Sequence, residues 1–390
     1  MYGFVRSDSI SGDTQSGVGI MLNGIRIVEI EGLGPGPFAG MVLADLGADV
    51  IVVHRATGDP APGIPERPIL DRGKRSITLD LKSTADRQTA LRLIETADGL
   101  IEGFRPGVME RLGLGPVECH AVNPALVFGR MTGWGQEGPL SDRAGHDMNY
   151  IALAGALWHA SPPGQPPVVP PTLIGDIGGG ALYLVVGLLA GILNARVTGH
   201  GTVVDAAIYD GAANMMNLLM TLAQSGGFSS VRGQSLLDGP HWSRTYKTSD
   251  DAYISVQCLE PKFYAIFLDL LGLADDPVFS NQFDRDKWPA LSAQLETLFA
   301  DRSLAHWQSV FDGTDACVAP VLTPEQSLRH PINAARQTWH DSGGTIQAAP
   351  APRFSDAAHW TPPPVPERGA NREEILAELD KINNISVRQN

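Results

Sequence analysis

Hydrophobic runs in the first third of the chain alternate with amphipathic stretches at the spacing of strands and helices. Short apolar runs bounded by glycine, proline or aspartate predict buried strands, while longer periodic segments between them predict helices. The predicted strands cover residues 25–30, 48–54, 76–81, 99–104 and 125–133. Strand–helix alternation with short connections favours a largely parallel sheet covered by helices on both faces. We therefore predict an α/β fold.

The pattern changes after Gly133. Three long apolar segments predict helices over 147–159, 177–196 and 206–224, and a run over 244–257 predicts a β-hairpin. From these changes we predict four parts, which are a flexible leader over 1–22, a large α/β domain over 23–224, a small domain over 225–330, and a C-terminal segment over 331–390 that returns to the large domain.

The composition narrows the range of functions. The chain has 390 residues and a net charge of −14, which argues against a nucleic-acid partner because phosphate backbones need a basic surface. Cys119, Cys258 and Cys317 lack metal-ligand spacing and suit a reducing compartment. The N-terminus has no apolar signal-peptide core, and the apolar segment 177–193 is short for a membrane span and more typical of a buried helix. We expect a cytoplasmic protein that does not bind a membrane.

A glycine-rich turn follows the first predicted strand. The stretch GLGPGPFAG invites a dinucleotide-binding interpretation, but Phe38 and Ala39 stand where the third glycine of G-x-G-x-x-G should fall. Pro35 and Pro37 also remove amide donors that would hold a pyrophosphate. The turn therefore argues against a dinucleotide oxidoreductase, and we expect no redox cofactor.

Five basic residues stand near strand ends or in loops between strands: Arg55, Arg72, Lys74, Arg75 and Arg105. In an acidic protein such a set suggests one focused anion site, as a ligand with several phosphates requires. The alternative is five solvated surface charges. Spacing alone leaves both interpretations open.

Three acids and one histidine are candidates for proton transfer. His146 and Asp147 stand where a loop turns into an apolar helix, although Asp147 could simply be the N-cap of that helix. Asp176 precedes another apolar helix, and three glycines after it suggest close approach of a ligand. Glu260 follows a strand and precedes a proline at a helix start. Such groups suit acid–base chemistry, but spacing alone does not bring them together.

The chain resembles the family III CoA-transferase fold group and, within it, the α-methylacyl-CoA racemases. The resemblance covers the chain from about residue 24 and rests on eight stretches: LGPGPFAGMVLADLGADVIVV, RGKRSITLDLK, RPGVMERLGLGP, MTGWGQEGPL, AGHDMNY, GDIGGG, GHGTVVDAAIYDG and LEPKFY. It implies a large domain with a mostly parallel, Rossmann-like sheet, a smaller α+β domain, and an interlocked homodimer. It further implies an enzyme of fatty acid metabolism that acts on acyl-CoA.

The resemblance also implies roles for individual residues. His146 and Asp176 would exchange the α-proton of a 2-methylacyl-CoA through an enolate, Glu260 from the partner chain would orient His146, and Asp147 would tune the site. CoA would be held by a set of mostly basic residues, Arg55, Arg72, Lys74, Arg75, Arg105 and Tyr150. No cofactor or metal would be needed, since CoA is part of the substrate.

Several alternatives stay open. Transferases of this group use an aspartate as nucleophile toward the CoA thioester, and Asp176 stands at that position, so CoA transfer between carboxylic acids is the second hypothesis. A non-catalytic CoA-binding protein is the third. Met148, Met215 and Met216 suit an adaptable acyl pocket but equally suit a core. The segment 238–246 departs from the racemase pattern, and its residues His241, Trp242 and Arg244 could reshape the acyl pocket or supply a charge for a dicarboxylic acyl group.

Overall fold

The computed structural model describes residues 20–56, 63, 65–355 and 360–389, so the predicted leader lies almost wholly outside the described residues. The chain forms two compact units. The first comprises the described parts of Met1–Thr132, Ala181–Ala206 and Arg336–Asn390, and the second comprises Gly133–Gly180 and Ala207–Ala335.

This division differs from the predicted boundaries at two places. Residues 133–180 and 207–224 were predicted to be part of a large domain over 23–224, but they belong to the second unit. The reason is that the helix beginning at Asp147 packs on the helix beginning at Ile208. Apolar periodicity showed that these segments are helices, but it did not show which neighbours they pack against.

The first unit is built on a six-stranded sheet. Its strands are β1 Arg26–Ile30, β2 Asp49–Arg55, β3 Arg75–Leu79, β4 Gly99–Glu102, β5 Val127–Thr132 and β6 Thr202–Ala207. Their order is β3-β2-β1-β4-β5-β6, and the pairings β1–β2, β2–β3, β1–β4 and β4–β5 are parallel. The predicted α/β fold is thereby confirmed. β6 was not predicted, because its sequence TVVDAA lacks the continuous apolar run of the other strands, and its first four residues are not buried.

Helices cover this sheet. They are α1 Pro35–Asp45, α2 Thr84–Glu95, α3 Val108–Arg111, α4 Pro116–Val122, α6 Leu182–Thr198 and α14 Arg372–Gln389, and a separate hairpin joins β10 Trp339–Ser342 to β11 Thr345–Ala348. Val28, Ile51, Ile77 and Phe128 are fully or almost fully buried in one core with residues of α2 and α14. The near-continuous apolar strands follow from burial of both sheet faces.

The second unit combines helices with a small antiparallel sheet. Its elements are α5 Asp147–Leu153, α7 Ile208–Met215, α8 Asn217–Gln224, β7 Ser243–Lys247, β8 Tyr253–Gln257, α9 Pro261–Leu270, α10 Trp288–Ala300, α11 Leu304–Phe311, β9 Val318–Pro320, α12 Pro324–Arg329 and α13 Pro331–Arg336. The predicted hairpin is β7–β8. The helix predicted over 147–159 ends early because Gly155 adopts φ +83°, a left-handed helix terminus.

One helical run in the described residues, Leu173–Thr198, is long and apolar enough to cross a membrane by length and composition, with a mean hydropathy of 1.8. A single such helix is weak evidence, since the core helix of a soluble protein passes the same test.

Candidate active site

His146 is the residue that caps α5. It has extended backbone angles, its side chain is exposed, and its N–H donates to Oδ1 of Asn149 at 3.0 Å. The alternative in which Asp147 is the N-cap is therefore wrong, because the helix begins with Asp147 itself. Capping fixes the direction in which the chain enters the helix and leaves the imidazole at the surface of the second unit.

Asp147 holds the turn that carries Asp176. The Asp147 side chain is buried, and its Oδ1 accepts the N–H groups of Gly175 and Asp176, both at 2.8 Å. A Cβ on Gly175 would lie 2.6 Å from this oxygen, so only glycine fits there. Asp147 thus joins the start of α5 to the backbone of Asp176, although 29 positions separate the two aspartates.

Asp176 lies inside a π-helical stretch, Leu173–Ala181, and not before a helix as its sequence context suggested. Its Oδ2 accepts a hydrogen bond from the Thr172 hydroxyl at 3.1 Å. Thr172 has φ +67°, which is rare for a β-branched residue. Wide π turns occur preferentially at functional sites. Here the turn carries the half-buried carboxylate of Asp176, which is held by Thr172 through its side chain and by Asp147 through its backbone N–H.

The glycines after Asp176 have a packing role. A Cβ on Gly179 would lie 2.8 Å from the backbone nitrogen of Ala212, and a Cβ on Gly211 would lie 1.8 Å from the Gly179 carbonyl oxygen. The backbones of the π stretch and α7 therefore touch. Ligand approach was the predicted reason for these glycines, whereas close packing of two helices explains Gly179. At Gly178 the nearest side chain is that of Met215.

Electrostatics shows that these groups form one cluster. Burial raises the pKa of the Asp176 carboxyl; the Thr172 hydrogen bond opposes this rise, the charge of Asp147 adds to it, and His146 lowers the pKa again. The cluster combines an exposed imidazole, a half-buried carboxylate and a buried carboxylate that organises the backbone, which together suit proton transfer.

Glu260 occupies a different part of the second unit. It is the N-cap residue of α9, and its charge acts on the thiol of Cys317, whose pKa burial and Glu260 both raise. Among the described residues of one chain, no hydrogen bond or ion pair joins Glu260 to His146, Asp147 or Asp176. Glu260 therefore lies outside the cluster within a single chain.

Two of the predicted cations are committed to buried pairs in the first unit. Arg72 forms a bidentate pair with Asp45 and also donates to Gln347 at 3.0 Å. The Lys74 ammonium, with no exposed surface, lies 2.7 Å from Glu29 and 3.2 Å from Asp71. Arg72 and Lys74 are therefore not proposed as phosphate ligands, because a phosphate would have to break these buried pairs.

The other three predicted cations differ in how exposed they are and in whether acidic side chains hold their guanidinium groups. Arg75 pairs with Asp49, Glu374 and Glu378. Arg105 is exposed, and no partner among the described residues holds its guanidinium. Arg55 is also exposed, with its Nε 3.7 Å from Glu31.

A cavity of about 70 Å³ at the ends of β1 and β2 contains Arg55 in its wall. Its lining also includes His54 and Arg368, and Arg368 forms a bidentate pair with Glu31 at 2.8 and 2.9 Å. Four acidic residues line the same cavity: Glu29, Glu31, Glu66 and Asp71. Ligands of open α/β sheets bind beyond the carboxyl ends of the strands. Arg368 was not among the predicted cations, because it stands 313 positions after Arg55 in a proline-rich segment.

Tyr150 supports the His146 loop. Its ring is buried, packs edge-on against Trp134 at 4.7 Å between centroids, and its hydroxyl donates to the Gly145 carbonyl. A Cβ on Gly133 or Gly145 would collide with this ring. The contacts of Tyr150 thus position the chain just before His146. Because its ring is buried in these contacts, Tyr150 is not proposed as a CoA ligand.

The unusual segment 238–246 lies in the core of the second unit. His241 and Trp242 are fully buried, and Arg244 pairs with Glu296 at 3.0 Å. Burial lowers the pKa of His241 to about 4, so it is neutral at pH 7. The expectation that these bulky residues reshape an acyl pocket is not supported by their packing, since they fill the space around Tyr264 and Phe279.

No group of three or more histidine, cysteine, aspartate or glutamate side chains in the described part of the chain could hold a metal ion. The absence of a cofactor stays a prediction.

Comparisons with known proteins agree with this architecture. The model of CoA-transferase family III matches residues 22–372. The chain is similar to the α-methylacyl-CoA racemase of Mus musculus, with 39% identity, 92% of this chain and 93% of the relative covered. It is 32% identical to a probable fatty acyl-CoA transferase of Mycobacterium tuberculosis, covering 91% of this chain and 97% of the relative.

A solved structure points the same way. A CaiB/BaiF family protein from Brucella suis superposes with a TM-score of 0.77 and 28% identity, covering 91% of this chain and 98% of the other. The sequence resemblance is thereby confirmed over almost the whole chain. This chain belongs to CoA-transferase family III.

Proposed function

We propose that this chain is an isomerase that racemises 2-methyl-branched acyl-CoA thioesters. The observation that carries the proposal is the cluster of His146 and Asp176, tied together through the buried carboxylate of Asp147. The 39% identity to the murine α-methylacyl-CoA racemase supports the same activity.

The proposed reaction moves one proton. A base removes the α-proton as its bonding electrons move onto the thioester oxygen, and an acid returns a proton to the opposite face of the planar enolate. His146 and Asp176 would take these two roles and exchange them in the reverse direction. The enolate oxygen requires hydrogen-bond donors, and we propose backbone amides near the start of α5. The raised pKa of Asp176 brings a carboxyl closer to the range useful for proton exchange near neutral pH.

The CoA moiety needs cations. We propose Arg55 and Arg105 as phosphate ligands, because their guanidinium groups are exposed. Arg368 is held by Glu31 and is not proposed as a ligand. Anion binding by these arginines would be weakened by added salt.

Among the described residues of one chain, no carboxylate is hydrogen-bonded to the imidazole of His146. We propose a homodimer in which Glu260 of the partner subunit orients the imidazole of His146, which would explain why Glu260 lies outside the cluster within one chain. The cytoplasmic location and the lack of nucleic-acid or membrane partners stay predictions.

A second candidate is CoA transfer between carboxylic acids. In this scheme the Asp176 carboxylate would attack the thioester carbonyl and release CoA thiolate, which would attack the Asp176 carbonyl of the resulting anhydride while the first acyl group leaves as a free acid. A second carboxylate would then attack the Asp176–CoA thioester and release CoA thiolate again, and attack of this thiolate on the new acyl carbonyl would form the product thioester and free Asp176. The half-buried Asp176 carboxylate and the similarity to the mycobacterial probable transferase favour it. His146 has no assigned role in this scheme.

One experiment separates the two. The protein is incubated with an (S)-2-methylacyl-CoA in deuterated water without any acceptor acid, and α-deuterium and optical configuration are followed together. Racemisation predicts deuterium uptake and appearance of the R epimer. No exchange, with CoA movement only after a free acid is added, would instead establish the transferase.

A further inference from the structure

A cavity of about 110 Å³ in the second unit lies beyond the residues that the proposed chemistry uses. The lining is mainly apolar, with Leu219, Leu222, Phe228 and Leu237, and its polar members are His159, Ser235 and Asp238. An apolar cavity with one polar pair is suited to a hydrocarbon chain that carries a polar group.

The His159–Asp238 pair is held in place by its surroundings. Nδ1 of His159 lies 3.1 Å from Oδ2 of Asp238, and that carboxylate also accepts the N–H groups of Gly233 and Ser235, both at 2.8 Å. The imidazole packs edge-on against Phe228 at 4.5 Å between ring centroids. Nδ1 is therefore occupied, and Nε2 has no hydrogen-bond partner among the described residues.

Met215 lies between the Asp176 turn and α8, the helix that contributes Leu219 and Leu222 to this cavity. The thioether of Met215 lies against Gly178, two residues beyond Asp176. Met215 is the last residue of α7, and Leu219 and Leu222 share one face of α8 because they are three residues apart. At 1.5 Å per residue the helical positions from Met215 to Leu222 span roughly 10 Å, which is about eight carbon–carbon bonds of 1.5 Å in an extended chain.

We propose that this cavity receives the far end of the substrate acyl chain, and that Nε2 of His159 binds an oxygen-bearing group at that end, a terminal hydroxyl or carboxylate. The inference rests on the proposed function, because it takes the acyl-CoA as the ligand. It makes the chain an enzyme for acyl groups with about eight carbons beyond the α-carbon, and favours those with an oxygen at the terminus.

The first test fills the cavity. Leu222→Trp places bulk in its wall, and Ala223→Trp places the same bulk on the exposed side of α8. Turnover and affinity are measured with 2-methylbutanoyl-CoA and 2-methyldecanoyl-CoA. The long-to-short ratio should fall roughly 10- to 100-fold in Leu222→Trp only, because methylene groups lose their apolar site. An unchanged ratio, or an equal fall in both variants, would overturn the inference.

The second test removes the polar atom without removing its anchor. His159→Asn keeps a donor near the position of Nδ1 for Asp238 but deletes Nε2, whereas His159→Phe removes both. The wild type should prefer 10-hydroxy- or 10-carboxy-2-methyldecanoyl-CoA over the methyl-terminated thioester by about 3- to 10-fold, as one hydrogen bond allows. The preferred one of the two identifies the terminal group. His159→Asn should abolish that preference, and a preference that survives, or is absent from the wild type, would contradict the assignment.

Affinity keeps the two proposals separate. Calorimetry with the same thioesters reports on the cavity even without turnover. A protein that exchanges no α-proton but shows the expected chain-length and terminal-group dependence of binding would contradict the racemase and support the cavity. A protein that exchanges α-protons without either dependence would do the reverse.

Discussion

Two charged clusters in this protein use similar residues for different ends. In the first unit Glu29, Asp71, Lys74 and His54 are all buried, and Lys74 lies between two carboxylates while His54 bridges Asp71 and Ser76. In the second unit only the organising carboxylate, Asp147, is buried, while His146 is exposed and Asp176 is half-buried.

The difference lies in what remains available to a ligand. Burial raises the pKa of Glu29 against the effect of Lys74, whereas at Asp71 the hydrogen bond with His54 and the charge of Lys74 outweigh burial and lower the pKa. These shifts belong to a buried ion-pair network in which Lys74 and His54 are held by the carboxylates. A perturbed carboxyl marks a functional site only where a neighbouring acid or base can also reach a substrate, as at Asp176.

The largest expected effect is on catalysis in the second unit. Asp176→Asn and His146→Ala should each reduce α-proton exchange by about 10²- to 10⁴-fold, the usual contribution of a general acid or base. The free energy of unfolding and the affinity for CoA should change little. The exchange rate is measured in deuterated water, the free energy of unfolding by chemical denaturation, and the affinity for CoA by calorimetry. Undiminished exchange in a variant would remove that residue from the proposed reaction.

The pH dependence of the same reaction sharpens this assignment. Since burial raises the pKa of Asp176 above its usual value of 3.8, the ionised base should be lost at a higher pH than for an ordinary aspartate. The acid limb of kcat/KM should therefore lie above pH 3.8. Thr172→Val, which removes a hydrogen bond to the carboxylate, should move this limb to higher pH, while Thr172→Ser should restore it. A limb that does not move would show that Asp176 is not the titrating base.

The buried network should respond in stability. Lys74→Met removes the cation between Glu29 and Asp71 and leaves two buried carboxylates together, which costs about 3–5 kcal/mol in comparable pairs. Lys82→Met, at an exposed lysine of the same unit, should stay within about 0.5 kcal/mol of the wild type. Urea unfolding compares the two variants. Equal, small losses would mean that the network is not needed for stability.

The smallest expected effect concerns the proposed phosphate ligands. Arg105→Glu should weaken CoA binding by about 10-fold and flatten its salt dependence, because one exposed cation is replaced by an anion. Arg143→Glu, at an exposed arginine whose one ion-pair partner among the described residues is its neighbour Asp142, is the matched control. Titration calorimetry at two salt concentrations measures both. If the two reversals weaken binding equally, the effect is one of net charge and Arg105 is not a ligand.

Much of the first unit could be predicted because its strands are buried on both faces and read as unbroken apolar runs. β1 to β5 fall at the predicted places within a few residues. β6 and the short strand β9 were missed, since neither carries such a run. The predicted long helix after Asp147 was wrong, because Gly155 ends it in a left-handed turn.

The sequence by itself determined the α/β class, the family and the candidate groups His146, Asp147 and Asp176, because local periodicity and motif spacing are properties of neighbouring residues. Only the tertiary structure decided which charges are free. Arg72 and Lys74 look like Arg105 in the sequence, but their partners Asp45 and Glu29 approach from other elements. Such long-range pairing, like the reach of Asp147 to the amide of Asp176, depends on how elements pack and leaves no local signal in the sequence.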